Sequence, residues 1–315
     1  MGLKINYLAQ LSPFAYSGGG EVIAKRLIET GRQRGHCFAL TTSYPRQSEK
    51  FYDADLAILV DLFNCPFSLR RLPLDLLAEM ERSTPFVHLS NAYVDVCNLD
   101  YLPCSGNSAS SCNYKERLST FRRFLLRDFS TNCFLNRPII KALYERARLN
   151  VFLSPLHQRI IYNMLNIGGV DYFILKPLID ETVFFDRGGD RDLEYLFVGV
   201  IGEAKGLKEM RQRFHNSDIH FIGMVAKGAK LDFGHHHGFV PYDQVPHYMN
   251  RARNFVFLPR WPEPQGRVVV EAAMCGCNLI TNDNVGATSF DFDIRKPENF
   301  RNADIEFWEK IESLV

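Results

Sequence analysis

Pro262-Glu263-Pro264-Gln265-Gly266-Arg267-Val268-Val269-Val270-Glu271-Ala272-Ala273-Met274-Cys275-Gly276 lies between two apolar runs, Asn254-Phe255-Val256-Phe257-Leu258 and Asn278-Leu279-Ile280-Thr281. Both runs are short and rich in aromatic or branched residues, as strands of a buried parallel sheet are. The Pro/Gly-rich segment after the first is a loop. A helix opens near Gly266 and ends at small residues around Gly276. Strand, loop, helix and strand in that order form a crossover unit of a parallel sheet. Glu263 falls in the loop and Glu271 between one and two turns into the helix, so both can face one cleft. Main-chain N–H groups at the helix start, together with the helix dipole, suit phosphate oxygens. A carboxylate reaching back from the helix can accept two ribose hydroxyls.

The same rhythm extends through the chain. Lys4-Ile5-Asn6-Tyr7-Leu8 is a strand, Ser12 to Gly20 a loop, and Glu21 to Ile28 a helix by its apolar spacing. Phe38 to Thr42, Leu56 to Val60 and Pro85 to Leu89 are further strands, and a helix is expected over Leu74 to Arg82 behind Pro73. Asn150 to Leu153 and Tyr172 to Leu175 flank a helix from His157 to Leu165, after which Lys176 to Asp192 reads as a linker. Alternation resumes at Tyr195 to Val198 and Ile219 to Ile222. At 315 residues two ordinary domains are expected. Their boundaries fall at 1–180, with an inserted Cys- and Arg-containing segment at about 91–133, and at 181–315, with a short C-terminal helix. Two such α/β domains, each Rossmann-like, are expected to face a central cleft where ligands bind.

A net charge of +1, from 37 basic and 36 acidic residues, supplies no global field for nucleic acid. No apolar run is long enough to span a membrane, and the N-terminus is strand-like instead of a signal peptide, so the protein is expected to be cytoplasmic. Eight cysteines without a secretory signal point to reduced thiols or metal ligands before disulfides.

The Glu263 to Gly276 stretch resembles the E-x7-E region of the retaining, GT-B-fold glycosyltransferases of family 4. The resemblance implies that Glu263 lies against the transferring sugar, that Glu271 holds the donor ribose, and that Gly266, Arg267 and Val268 line the phosphate and sugar pocket. Phe197-Val198-Gly199-Val200-Ile201-Gly202-Glu203-Ala204-Lys205-Gly206 is similar to the family's strand and basic loop, with Gly199 against the donor and Lys205 neutralising its diphosphate. The family commonly has Arg where this chain has Val200, which removes one of two expected cations; Arg260 and Arg267 are the candidate substitutes. Gly238-Phe239-Val240-Pro241 resembles the G-x-V element that contacts the donor base. Ser17-Gly18-Gly19-Gly20-Glu21 and Arg34-Gly35-His36 resemble the family's first-domain G-G-x-E and R-G-H elements, where Gly18, Gly19 and Gly20 let backbone approach donor phosphate or acceptor. His88, near a strand end, stands where the family often places a residue facing the acceptor hydroxyl or donor sugar. No cofactor or metal is implied beyond the nucleotide-diphosphate sugar itself.

Other features carry two readings each. Cys97, Cys104, Cys112 and Cys133 could hold zinc if the fold gathered them, but their spacing favours free thiols. His235-His236-His237 reads as a polar loop, because three successive side chains do not converge on one ion. The basic helix over 114–129, with Arg117, Arg122, Arg123 and Arg127 among apolar residues, would suit an anionic bilayer and a lipid-linked acceptor; a core-facing stripe with a solvated basic face is the favoured reading. The function expected is sugar transfer to a glycan or lipid-linked acceptor. Alternatives are a non-catalytic GT-B nucleotide- or sugar-binding protein and a GT-B epimerase.

Overall fold

The computed structural model describes residues 2–15, 18–60, 84–93, 95–96 and 138–315. The expected helix at Leu74 to Arg82, the basic helix at 114–129 and all four clustered cysteines lie outside the described residues.

The chain divides into two compact units. The first comprises Met1–Leu153, Gln158–Leu175 and Asn302–Val315. Its sheet contains β1 (Lys4–Leu11), β2 (Cys37–Tyr44), β3 (Gln47–Ser48), β4 (Leu56–Val60), β5 (Phe86–Leu89), β6 (Leu149–Phe152) and β7 (Tyr172–Ile174), in the order β3-β2-β1-β4-β5-β6-β7. All neighbours are parallel except the short β3, which returns antiparallel on β2. Every residue of β4, β5 and β6 is buried, as expected of central parallel strands covered on both faces. Helix α1 (Gly19–Gln33) buries Ile23, Ala24, Leu27 and Ile28, one apolar stripe at helical spacing. Helices α2 (Pro138–Arg146) and α3 (Pro155–Leu165) lie in the connections from β5 to β6 and from β6 to β7. Tyr93 and Val96, at the start of the expected insertion, pack into a core with Ile140, Tyr144 and Phe152, so that segment begins inside the fold.

The second unit comprises Ser154–His157 and Lys176–Arg301. Here β8 (Leu193–Val198), β9 (Ile219–Ile222), β10 (His235–His236), β11 (Ala252–Phe257) and β12 (Asn278–Thr281) form an all-parallel sheet in the order β10-β9-β8-β11-β12. Helices α4 (Leu207–Phe214), α5 (Val245–Arg251) and α6 (Arg267–Met274) connect the strands. Among the described residues no helix is long and apolar enough to cross a membrane.

Three expectations need correction. The segment read as a linker is packed: Phe184 is fully buried in the core of the second unit with Leu193, Met249 and Val270. The histidine triplet is not a loop throughout, since His235 and His236 pair with His220 and Phe221 on β9. Finally, residues 302–315 do not stay with the C-terminal domain. Helix α7 (Ala303–Glu312) belongs to the first unit, where it buries Phe307, Trp308 and Ile311.

The return of α7 is held by polar contacts as well. Asp304 accepts from Arg26 at 2.8 Å and from the Thr30 hydroxyl at 2.7 Å. Glu312 receives Arg34 Nε at 2.9 Å and lies 3.0 Å from His36 Nε2. His36 Nδ1 accepts from the Leu3 N–H at 3.0 Å, so the ring is the neutral tautomer with its proton on Nε2, donating to Glu312. Burial is the main cause holding the His36 pKa below its ordinary value, against the raising effect of Glu312. A histidine whose folded pKa is depressed contributes stability above its unfolded value, and that stability is lost as pH falls through the folded pKa. Thermal unfolding of the wild type should therefore show falling stability as the pH is lowered through 6.5 and below, and His36→Gln should flatten that slope.

Candidate functional site

The strand order of the second sheet reverses between β8 and β11, and ligands of such folds bind outside the carboxyl ends of the strands at that point. The sequence places a chemistry-bearing segment after each of these two strands. After β8 come Gly199, which has a left-handed φ of 141°, the half-exposed Val200, and a single 3₁₀ turn, Glu203–Lys205. After β11 comes the loop Pro259 to Gln265, followed by α6 with Gly266 as its N-cap.

The two segments meet through an ion pair between Lys205 Nζ and Glu263 Oε1, both partly exposed. The Arg260 N–H donates to Ala204 O at 3.1 Å, tying the same loops by backbone. Glu263 itself is fixed at main-chain level: its N–H donates to Asn284 O at 2.7 Å, and its carbonyl accepts from Gly286 N–H at 3.1 Å. Asn282 and Asn284 side chains both donate to Pro259 O, at 2.9 and 3.0 Å. Ser154 Oγ donates to Pro264 O. The glutamate loop is thus rigid on both flanks, which a functional carboxylate needs to hold its position.

Glu271, on α6, is 4% exposed. Its Oε1 accepts from the Tyr242 hydroxyl at 2.7 Å, and Arg267 lies 3.4 Å from the same oxygen and 3.2 Å from the Tyr242 oxygen. Burial pushes the Glu271 carboxyl above the ordinary carboxylate range, while Arg267 and the Tyr242 hydroxyl oppose the shift. Burial is likewise the main cause raising the Tyr242 phenol. A carboxylate set in such surroundings is costly unless it has a task or a partner. Val268 is half-buried in the first turn of α6, beside Arg267.

Gly238 accepts, through its carbonyl, the Gly223 N–H at 2.8 Å, and Phe239 beside it is 74% exposed. Gly18, Gly19 and Gly20 lie at the head of α1 in the first unit, Gly18 as N-cap, with Gly20 facing the Asn91 side chain. His88, on β5 of that unit, is buried, with Nε2 2.9 Å from Asp95 Oδ2 and its ring edge-on to Tyr144 at 4.5 Å. The structure therefore brings Glu263 and Lys205 together, and gathers Glu271 with Arg267. Of the two candidate substitutes for the cation missing at Val200, Arg267 is engaged with Glu271 and Tyr242, and Arg260 lies over the Trp261 ring at 4.5 Å. Tyr242 and Asp95 were not anticipated. Neither has a spacing signal, because each reaches its partner only through the fold.

Two α/β units with Rossmann-like sheets, the second carrying paired glutamates at its switch point, define the GT-B class of fold. Residues 188–290 match the family model described as glycosyl transferases group 1, a span that lies within the second unit. No curated protein matches the chain. Among solved structures it is similar to sucrose-phosphate synthase from Thermosynechococcus elongatus, at 12% identity and a TM-score of 0.61, over 90% of this chain and 82% of that one. It is similar to Anabaena HepE in complex with UDP-glucose, at 16% identity and a TM-score of 0.56, over 99% and 92% of the two chains. It also resembles WaaG, a glycosyltransferase involved in lipopolysaccharide biosynthesis, at 14% identity and a TM-score of 0.52, over 90% and 82%.

Proposed function

We propose that this protein is a glycosyltransferase that moves a sugar from a nucleotide-diphosphate donor, held by its second unit, to a glycan or lipid-linked acceptor, with retention of configuration. The observation that carries the proposal is the pair of glutamates at the sheet's switch point. Glu263 stands on a rigid loop beside Lys205, and Glu271 is buried beside Tyr242 and Arg267. The UDP-glucose complex of HepE makes UDP-sugars the donors to test first.

In this reading Glu271 accepts the two ribose hydroxyls, and Gly238 with Phe239 meets the base. The Lys205 ammonium and the N–H groups at the head of α6 face the diphosphate. As the glycosidic bond to the diphosphate breaks, negative charge gathers on the leaving group and positive charge on the sugar ring. Fixed donors at the first and the Glu263 carboxylate near the second lower the barrier. The Lys205–Glu263 pair keeps both charges in place before substrate arrives, so little reorganisation is left for the reaction itself. The reading needs no metal. Gly18 to Gly20 and His88 belong to the acceptor-side unit.

Val200, where the family has a cation, favours a second reading: a nucleotide- or sugar-binding protein without turnover. The two separate in one assay. The purified chain is incubated with UDP-glucose and related donors, with and without acceptor glycans, and released nucleoside diphosphate is measured. Transfer predicts release in the wild type and at least about a 100-fold loss in Glu263→Gln, with nucleotide binding retained. Binding without release from any donor would establish the second reading, and a product that is an isomer of the donor sugar would indicate an epimerase.

A further inference from the structure

The edge of the second sheet carries a group of side chains for which sugar transfer has no use. Strand alternation puts His220 on β9 and Asp218, just before that strand, on one face, and His235 on β10 with His237, just after it, on the same face, since His235 pairs with His220 in register. His236 points the other way, its Nε2 2.8 Å from Gly223 O. Gly234 allows this closeness: a Cβ there would fall 2.5 Å from Ile219 O.

Two imidazole nitrogens converge on one carboxylate oxygen. His220 Nε2 is 3.0 Å and His235 Nε2 3.4 Å from Asp218 Oδ1. The ligand atoms of these three residues all lie within 4.8 Å of one another. Bonds of about 2.0–2.2 Å to a tetrahedral zinc ion place its ligands about 3.3 Å apart, close to the two separations from Asp218 Oδ1. The fourth residue serves a different purpose. His237 Nε2 is 2.8 Å from His220 Nδ1, so a proton on His220 Nδ1 donated to His237 leaves the Nε2 lone pair free for a metal. An outer hydrogen bond of this kind is what orients metal-binding histidines.

We propose that Asp218, His220 and His235 bind a zinc ion, with His237 as the positioning residue and water completing the coordination. Two imidazoles and a carboxylate are the donor set of a borderline-soft divalent ion, in contrast to the oxygen cages that calcium and magnesium require. Metal binding requires an Nε2 lone pair on each imidazole and an ionised carboxylate, so any proton held at those atoms is released to solvent on binding. The ion would join Asp218, just before β9, to the two-residue strand β10, whose backbone continues into Gly238 and Phe239. It lies away from Glu263, Glu271 and Lys205 in sequence and in strand, and its existence does not depend on the transferase reading.

The test uses the full chain, stripped with EDTA, desalted and titrated with zinc chloride. Isothermal titration gives the stoichiometry, and cobalt(II) chloride provides a visible absorption band diagnostic of tetrahedral nitrogen and oxygen coordination. One equivalent is expected for the wild type and for the controls His236→Ala and His247→Ala. His235→Ala, at an exposed site that leaves the core intact, should lose it. His237→Phe should keep one equivalent but bind about 10–100-fold more weakly. Absence of stoichiometric binding in the wild type overturns the proposal. So does unchanged binding in His235→Ala, which would place the ion elsewhere, and a cobalt spectrum of thiolate character would assign it to cysteines.

Discussion

Nucleoside diphosphates and nucleotide sugars are expected, on the proposed donor site, to raise the melting temperature of the wild-type protein, and Glu271→Ala is expected to abolish that rise. A ligand present at 100 times its dissociation constant stabilises the folded state by about 2.7 kcal/mol, a shift well within the range of a thermal scan. Hydrogen bonds to a charged group are each worth about 1.5–3 kcal/mol. Losing two of them from the ribose weakens binding by about 100-fold or more, which erases the shift at the same ligand concentration. The variant keeps its core, because the residues around Glu271 on α6 are packed through Val269, Val270, Ala272 and Ala273. A shift that persisted in Glu271→Ala would remove Glu271 from the donor site.

On the proposed donor site, the same residue should make donor binding pH-dependent. Burial raises the Glu271 pKa above the carboxylate range, and only the ionised form accepts two hydroxyls. Nucleotide affinity should therefore fall as pH is lowered through that raised pKa, at higher pH than an exposed glutamate would titrate. Folding is linked in the opposite sense. A carboxyl whose folded pKa is raised contributes stability at low pH that is lost as pH rises through the folded pKa. Glu271→Gln should remove that loss while it also removes the charge that the ribose needs. The stability cost at a working carboxylate is a common feature of binding sites.

Trp308→Ala should be the most destabilising substitution in the first unit. The indole is fully buried against Phe307, His36 and Phe38, with ring centroids 5.1, 4.8 and 5.6 Å away, and its Nε1 donates to Leu27 O at 2.8 Å. Gly31 of α1 makes room for it: a Cβ there would lie 2.6 Å from the indole and 2.7 Å from Phe38. Truncation of a buried tryptophan costs about 3–5 kcal/mol, which corresponds to a fall of roughly 6–20 °C in melting temperature for a unit of this size. The chain has two tryptophans, so Trp261 remains in the variant as an indole fluorescence reporter. A fall in melting temperature of that size is the expected result. An unchanged melting profile would mean that α7 contributes little to the first unit. Trp308→Phe should cost less, because it keeps most of the packing and gives up the bond to Leu27 O, worth about 0.5–1.5 kcal/mol.

Much of the architecture was legible in local sequence. The runs Leu56 to Val60, Ile219 to Ile222 and Asn278 to Thr281 became strands with those limits; the first, buried on both faces, leaves a continuous apolar signal that needs no knowledge of its partners. The helix behind Gly266 was equally readable from its apolar spacing and its boundary residues. Paired glutamates on a loop and the following helix are likewise a local pattern, because seven intervening residues link one strand end to one helix.

What only the tertiary structure decided is which distant groups meet. Lys205 and Glu263 are 58 positions apart, Tyr242 and Glu271 29, and Leu27 and Trp308 281. Helix α7 follows the second unit in the chain, so sequence order assigned it there; the apolar side chains of Phe307, Trp308 and Ile311 are instead buried in the first unit. The histidine group shows the same limit at short range. Three successive side chains do not converge, but an extended strand turns every second one to the same face, and a parallel neighbour in register brings Asp218 and His220 to meet them. Periodicity is written locally and can be read from the chain, whereas register and crossover are set by packing among strands and helices that the linear sequence does not order.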